Sequence, residues 1–154
     1  GLRVDNGVVV NEYLEASAPG VYAAGDVANY HDTLFGGQRR VEHWDNAVKQ
    51  GQHVARVLSG DRQPFENVPY FFSDMFDLSW EFWGDSSRAD RAVTRGDFGG
   101  KSFSVWWLEH GRVAAALVMS RPDEERELAQ TWIRERAEIA PETLVDASRP
   151  LQPV

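Results

Sequence analysis

The sequence contains no cysteine. These residues therefore supply no disulfide framework, no thiolate-held iron–sulfur cluster and no catalytic cysteine pair, and the lack fits a reducing, cytoplasmic compartment. No apolar run approaches the ~20 residues needed to cross a bilayer, and no basic-then-apolar leader opens the chain. A soluble protein without membrane association is expected. Positive charge is short: 16 Lys and Arg face 24 Asp and Glu, a formal net charge of -8. That balance disfavours a nucleic-acid partner, and Arg39-Arg40 is too small a cluster to reverse it. There is no Gly-x-Gly-x-x-Gly fingerprint, no P-loop, no serine nucleophile elbow and no defensible pair of catalytic carboxylates. His31-Asp32 and His43-Asp45 do not make a metal site, and His53 and His110 are isolated. An initiator Met is also missing: Gly1-Leu2-Arg3-Val4 enters at once on a strand-like pattern, and a fragment of a longer protein is expected.

What is present centres on Gly20 to Ala28. The apolar run Val21 to Ala24 is short, bounded by glycines and followed at once by Gly25 and Asp26. That pattern predicts a buried strand of an α/β sheet, and ligands in such sheets sit beyond the carboxyl ends of the strands. Gly25 lets a ligand approach the backbone, and Asp26 offers an acceptor for a hydroxyl. The alternative for Asp26 is an ordinary turn-forming or helix-capping aspartate.

Around this centre, Leu2 to Val4 and Val8 to Val10 are expected as short strands across an Asp5-Asn6-Gly7 turn. Asn29 to Gln38 reads as a loop. A helix is expected from about Val41 to Leu58, with Val41, Trp44, Ala47, Val48, Gly51, Ala55 and Leu58 on one broad face. Asp61 to Val68 is the best domain boundary. Beyond it aromatics crowd, and Asp77 to Trp83 and Arg91 to Arg95 read as strands. Ser102 to Leu108 and Val113 to Met119 form the clearest hairpin, turning at Glu109-His110-Gly111-Arg112. Asp123 to Glu138 is predicted as an amphipathic helix, with acidic residues at its positive end and Pro141 as its stop; Glu142 to Val145 is expected to add at most one turn. The fold class expected is an α/β fragment of a dinucleotide-binding domain (residues 1–62) followed by a small α+β domain with an antiparallel sheet and C-terminal helix (residues 68–147), then a tail (148–154).

Three motifs carry a family resemblance. Val9 to Ala28, with Ser17, Pro19-Gly20 and Ala23-Ala24-Gly25-Asp26, resembles the second flavin-binding motif of two-dinucleotide-domain flavoprotein reductases. Arg39-Arg40-Val41-Glu42-His43-Trp44-Asp45-Asn46-Ala47 resembles the flavin-facing helix of the ferredoxin-reductase and apoptosis-inducing-factor branch. Phe71-Phe72-Ser73-Asp74 resembles the aromatic-Ser-Asp opening of that branch's C-terminal domain. The likeness runs from Gly1 to about Ala147 and covers the back end of such an enzyme, with residues 1–18 as the hairpin returning from its NAD domain.

The resemblance implies FAD as cofactor and NAD or NADP as substrate of the parent protein. It implies that Gly25 and Asp26 meet the ribityl chain, that Glu42, His43 and Trp44 line the isoalloxazine and nicotinamide approach, and that Phe72 covers part of the flavin. Helix amides near residues 42–44 would stabilise negative charge on the reduced ring. His43 and Trp44 have a plainer alternative, a surface histidine and a core tryptophan. For Phe72 the alternative is core packing, and Trp106 and Trp107 read as core or interface residues. Hydride transfer to flavin needs no acid–base catalyst from the chain. The partners implied are the missing N-terminal FAD and NAD domains and a ferredoxin-like electron acceptor, with a homodimer as an open option. The isolated chain is expected to retain no cofactor and to be inactive. The competing function is a non-catalytic protein-interaction or dimerisation module built on the aromatic-rich second half.

Overall fold

A computed structural model of the chain describes residues 1–153. The chain divides into two compact units, with the division between Pro69 and Tyr70. The first unit carries a three-stranded sheet in the order β1 (Val8–Val9), β2 (Ala28–His31), β3 (Gln38–Arg39). Strand β1 runs parallel to β2, with Val8 opposite Ala28; β2 runs antiparallel to β3, with Tyr30 opposite Arg39. Helix α1 spans Trp44–Leu58.

Several local expectations are corrected here. Val21 to Ala24 is not a buried strand: only the isolated bridge between Glu15 and Tyr22 falls there, and Val21 is 40% exposed. The buried strand is β2, of which Asn29 to His31 fall in the stretch expected as a loop. Strand identity follows pairing, and Ala28 and Asn29 find the β1 backbone whereas residues 21–24 find no ladder among the described residues. Leu2 to Val4 contributes one bridge, from Val4 to Val8. Residues 61–69, which precede the division between the units, are held in the first unit: Phe65 and Val68 are buried and the Phe65 N–H donates to the Glu12 carbonyl at 2.6 Å.

The facing of α1 is inverted relative to its apolar stripe. Its buried residues are Asn46, Gln50, His53 and Val57, whereas Trp44, Val48 and Leu58 are exposed. The polar stripe has work on the inside. Gln50 bonds backbone, Asn46 Nδ2 donates to the Val41 carbonyl at 3.2 Å, and the His53 ring lies edge-on to Phe65 at 5.3 Å. Burial, reinforced by the positive charge of Arg56, pushes the His53 imidazole below its usual range.

The second unit is a five-stranded antiparallel sheet in the order β4 (Tyr70–Met75), β5 (Leu78–Gly84), β8 (Arg112–Met119), β7 (Ser102–Glu109), β6 (Arg91–Asp97). Strand β4 had been read only as a motif, not as a strand. Strands β7 and β8 join through His110 and Gly111, both at positive φ, the backbone a two-residue hairpin turn requires. Three alanines sit in the central strand because their neighbours are large: Ala116 lies between Trp83 and Trp106, and Ala115 opposes Trp107. A small residue beside a bulky one keeps a sheet core densely packed.

Helix α2 (Asp123–Glu135) lays Glu125, Leu128, Ala129, Trp132 and Ile133 inward at helical spacing. It ends three residues earlier than expected, at Arg136 in the left-handed conformation. The Trp106 and Trp132 rings meet at 5.3 Å. Pro141 does not only stop a helix. It occupies the first turn of α3 (Pro141–Val145), where its missing N–H costs nothing. Residues after α3 are less loose than a tail, since Leu151 is buried and the Arg149 carbonyl accepts from Arg95.

Gly84 closes β5 at φ +87°, and a Cβ there would collide with the Ala114 carbonyl oxygen and stand 3.0 Å from the Ala115 Cα. Both belong to the central strand and have no room to shift. Gly84→Ala is therefore expected to cost about 2–4 kcal/mol, from strain and collision together. Urea unfolding of the chain followed by tryptophan fluorescence measures this. A loss under about 1 kcal/mol would show that the strand end relaxes freely.

Candidate functional site

The candidate site is built where the turn after residue 24 meets helix α1. Gly25–Val27 forms one 3-10 turn, preceded by Ala24 in extended conformation with no side-chain cap. Gly25 is buried at φ +79°, and a Cβ on it would press on the Ala47 Cβ at 3.3 Å. Only glycine brings this backbone so near the helix. The Gly25 N–H, which lacks a partner within its own turn, donates to Gln50 Oε1 at 2.7 Å.

Asp26 follows, exposed, and among the described residues no group bonds its carboxylate. Its backbone carbonyl accepts from Arg40 Nη1 at 3.0 Å. The other terminal nitrogen of Arg40 pairs with Glu42 Oε1 at 2.5 Å. Arg40 thus links the turn at Asp26 to the segment entering α1.

Glu42, His43 and Trp44 do not share a first helical turn. Glu42 lies before the helix and is exposed, His43 is the N-cap, and Trp44 is the first helical residue. The His43 Nδ1 accepts from the Asp45 N–H at 3.3 Å, and its carbonyl accepts from the Ala47 N–H at 3.0 Å. The cap uses one helix amide that the resemblance would direct toward a ligand. Asp45, held by Lys49 at 2.7 Å, adds a negative charge at the positive helix end. Trp44 is 72% exposed in this chain. Glu42, His43, Gly25 and Asp26 are brought together in one unit through Arg40 and α1. Phe72 lies in the other unit, on β4, half-exposed, with its ring stacked on Tyr70 at 5.9 Å.

Two residues of this arrangement were missed in the sequence. Arg40 had been weighed only as part of a small basic cluster. Gln50 stands at position i+4 from Asn46 and i−3 from His53, a polar helical stripe that reads as a solvent face. The one available signal was the proximity in sequence of Ala47 and Gly51, which marks this part of α1 for close approach.

The residues fit a hydroxyl-bearing organic group. A carboxylate faces outward without a partner, on a turn whose backbone is closely held. Gln50 Nε2 and Asn46 Oδ1 are buried and have no partner among the described residues. Such atoms are costly unless a bound group or water meets them. No cluster of three or more His, Cys, Asp or Glu side chains suited to a metal occurs among the described residues. No helix among them is long and apolar enough to cross a membrane.

The parallel β1–β2 pair with the Gly25–Val27 turn between its strands, helix α1 and a separate antiparallel unit have a fold like that of ferredoxin and pyridine-nucleotide reductases. Comparison with known proteins places the chain more closely. Residues 70–154 match the family described as "Reductase C-terminal", and residues 1–51 match "Pyridine nucleotide-disulphide oxidoreductase". The chain belongs to the Reductase C-terminal family. It is similar to putidaredoxin reductase CamA of Pseudomonas putida, at 36% identity over 154 residues, covering 100% of this chain and 36% of that protein. It is also 36% identical over 148 residues to monodehydroascorbate reductase 1, peroxisomal, of Oryza sativa subsp. japonica, covering 88% of this chain and 30% of that protein. Among solved structures it is similar to the reductase of the covalent putidaredoxin reductase–putidaredoxin complex: TM-score 0.91, 35% identity, 97% of this chain and 36% of that one. The chain thus spans about a third of the length of the relatives it matches.

Proposed function

We propose that the chain is the C-terminal part of an FAD-dependent NAD(P)H oxidoreductase that passes electrons to a ferredoxin-like acceptor. The observation that carries this reading is the outward, unpartnered Asp26 carboxylate on the turn held by Gln50 and Arg40. Asp26 would accept a hydrogen bond from a hydroxyl of the cofactor's ribityl chain, a charge-assisted bond, and Gly25 keeps the backbone clear beside it. Glu42, His43 and Trp44 stand at the ring end. Bound FAD would supply the redox chemistry between nicotinamide and acceptor; the chain's own residues would bind, orient and shield it.

The acceptor reading draws on the relative whose solved structure is a complex with putidaredoxin. The exposed stripe of α1, Trp44, Val48 and Leu58, is the surface on which the remaining FAD and NAD domains pack. A cytoplasmic location fits the absence of cysteine. The competing reading, a non-catalytic interaction or dimerisation module built on the aromatic-rich second half, draws on the exposed Phe76 and Phe98 of that half.

The isolated chain is expected not to retain stoichiometric FAD, because Asp26 holds only one part of the cofactor and no pyrophosphate fingerprint is present. Flavin absorbance after gel filtration of the chain with added FAD measures this, beside the complete protein. Near one FAD per isolated chain would overturn the expectation. A complete protein that binds no FAD would overturn the reductase reading and leave the interaction module.

A further inference from the structure

We infer that Gln50 is a positioning residue that sets the Asp26 turn for its ligand; the inference rests on the FAD reading of that turn. The first N–H groups of any helical turn lack internal partners and need an outside acceptor. Ala24, in the capping position, has no acceptor on its side chain, and no side chain near in sequence supplies one. Gln50, 25 residues further along and fully buried, does so at 2.7 Å. Its side chain replaces a local cap and fixes the turn to α1.

The consequence is geometric. Helix α1 begins with His43 and Trp44, and Gln50 lies almost two turns along the same rigid rod. The bond from Gln50 to Gly25 therefore fixes the distance between the Asp26 turn and the start of α1. Arg40 makes the second tie, through the Asp26 carbonyl and the Glu42 carboxylate. The Arg40 tie is partly exposed and held by flexible groups. The Gln50 tie is enclosed, short and joined to backbone, so it is the stiffer of the two. Gln50 does not touch the Asp26 carboxylate; its Oε1 acts on a ligand through the turn that it holds.

Gln50→Met keeps the length and shape of the side chain and removes the acceptor. Gln50→Glu keeps an acceptor oxygen and so serves as the rescue. In the 154-residue chain, amide exchange at Gly25 is expected to rise at least about tenfold in Gln50→Met, with the Val10 amide of the β1–β2 ladder unchanged, and to stay within about threefold of wild type in Gln50→Glu. In the complete protein, Gln50→Met is expected to weaken FAD binding by about tenfold, the loss of one buried hydrogen bond. The rate of flavin reduction at saturating FAD is expected to stay within about twofold, because the ligand once seated is the same.

Gly25 and Val10 amides that exchange faster together would mean a general loss of structure and overturn the inference. So would unchanged FAD affinity in Gln50→Met, or a Gln50→Glu variant as impaired as Gln50→Met. If Gln50→Met does not fold, the wild-type chain decides: a Gly25 amide exchanging as freely as an unprotected one overturns the inference. Failure of the wild-type complete protein to bind FAD overturns the reading of the site, whereas FAD binding indifferent to Gln50 overturns the clamp alone.

Discussion

Glu125→Ala is expected to destabilise the second unit by about 3–5 kcal/mol, the scale for breaking a buried ion pair by removing one partner. Glu125 is 3% exposed and Arg95 2%. The Arg95 Nε donates to Glu125 Oε1 at 2.8 Å, and Arg121 Nη2 donates to the same oxygen at 2.7 Å. The second carboxylate oxygen accepts from Ser104 Oγ at 2.7 Å, and Ser104 in turn accepts from Trp106 Nε1 at 2.9 Å. The two terminal nitrogens of Arg95 donate to the carbonyls of Asp146 and Arg149, each at 2.5 Å. One guanidinium therefore joins β6, α2 and the segment after α3. Without Glu125 its charge is left buried and uncompensated. Small domains hold only about 5–15 kcal/mol in total, so the loss would consume a large share.

The pH dependence follows from the same geometry. Burial pushes the Glu125 carboxyl up, but hydrogen bonds from Arg121, Arg95 and Ser104 outweigh it and hold the carboxyl below its usual range. A carboxylate with a depressed folded pKa contributes stability that is fully present above its unfolded value and is lost as pH falls through the folded one. Wild-type chain is thus expected to lose stability through the acid range below the ordinary glutamate pKa, about 4.3, and Glu125→Gln to show a flatter profile there. Urea unfolding at stepped pH, read by tryptophan fluorescence, measures both. A Glu125→Ala cost under about 1 kcal/mol, or parallel pH profiles for wild type and Glu125→Gln, would refute the assignment.

How much of this was legible in the sequence depended on whether the cause was local. The β7–β8 hairpin was legible because alternating aromatic and β-branched residues run up to His110-Gly111, and the turn itself dictates the register. The extent of α2 was nearly legible from the spacing of Leu128, Trp132 and Ile133. Strand β2 was not, because Ala28-Asn29-Tyr30-His31 has one strong strand former and owes its state to Val8 and Val9, twenty residues away in register. Arg95 and Glu125, 30 residues apart, each read as a solvated charge until the fold buries them together.

Helix α1 shows the subtler limit. Its periodicity was correct, but periodicity gives only the angle between two stripes and does not say which one is inside. Asn46, Gln50 and His53 face inward because Gly25, Val41 and Phe65 offer them partners. The apolar stripe faces outward for the same length of helix. In the candidate site, Gly25 and Asp26 were legible from their motif. Arg40 and Gln50 were not, since their meaning lies in the backbone atoms they hold.

Asp26→Ala, in the complete protein, is expected to weaken FAD binding by about one to two decades while leaving the chemical step nearly unchanged. The carboxylate lies on the turn after residue 24, at the tether end of the proposed site, and its replacement removes one charge-assisted bond. The substitution is clean, because Arg40 grips the Asp26 carbonyl, which alanine keeps, and Gln50 grips Gly25. Glu42→Ala is expected to behave in the opposite way. It stands before α1 at the ring end, and its loss should slow flavin reduction or weaken nicotinamide binding in protein that stays yellow. A small effect on FAD is expected as well, about threefold at most, because Glu42 is one of the two anchors of Arg40 and exposed ion pairs contribute little. FAD titration of each apoprotein, run beside anaerobic stopped-flow reduction by NADH and NADPH, separates tether from ring. If Asp26→Ala binds FAD like wild type while Glu42→Ala loses it, the two ends of the site are assigned the wrong way round, and the Arg40 link, not the Asp26 carboxylate, is what holds the cofactor.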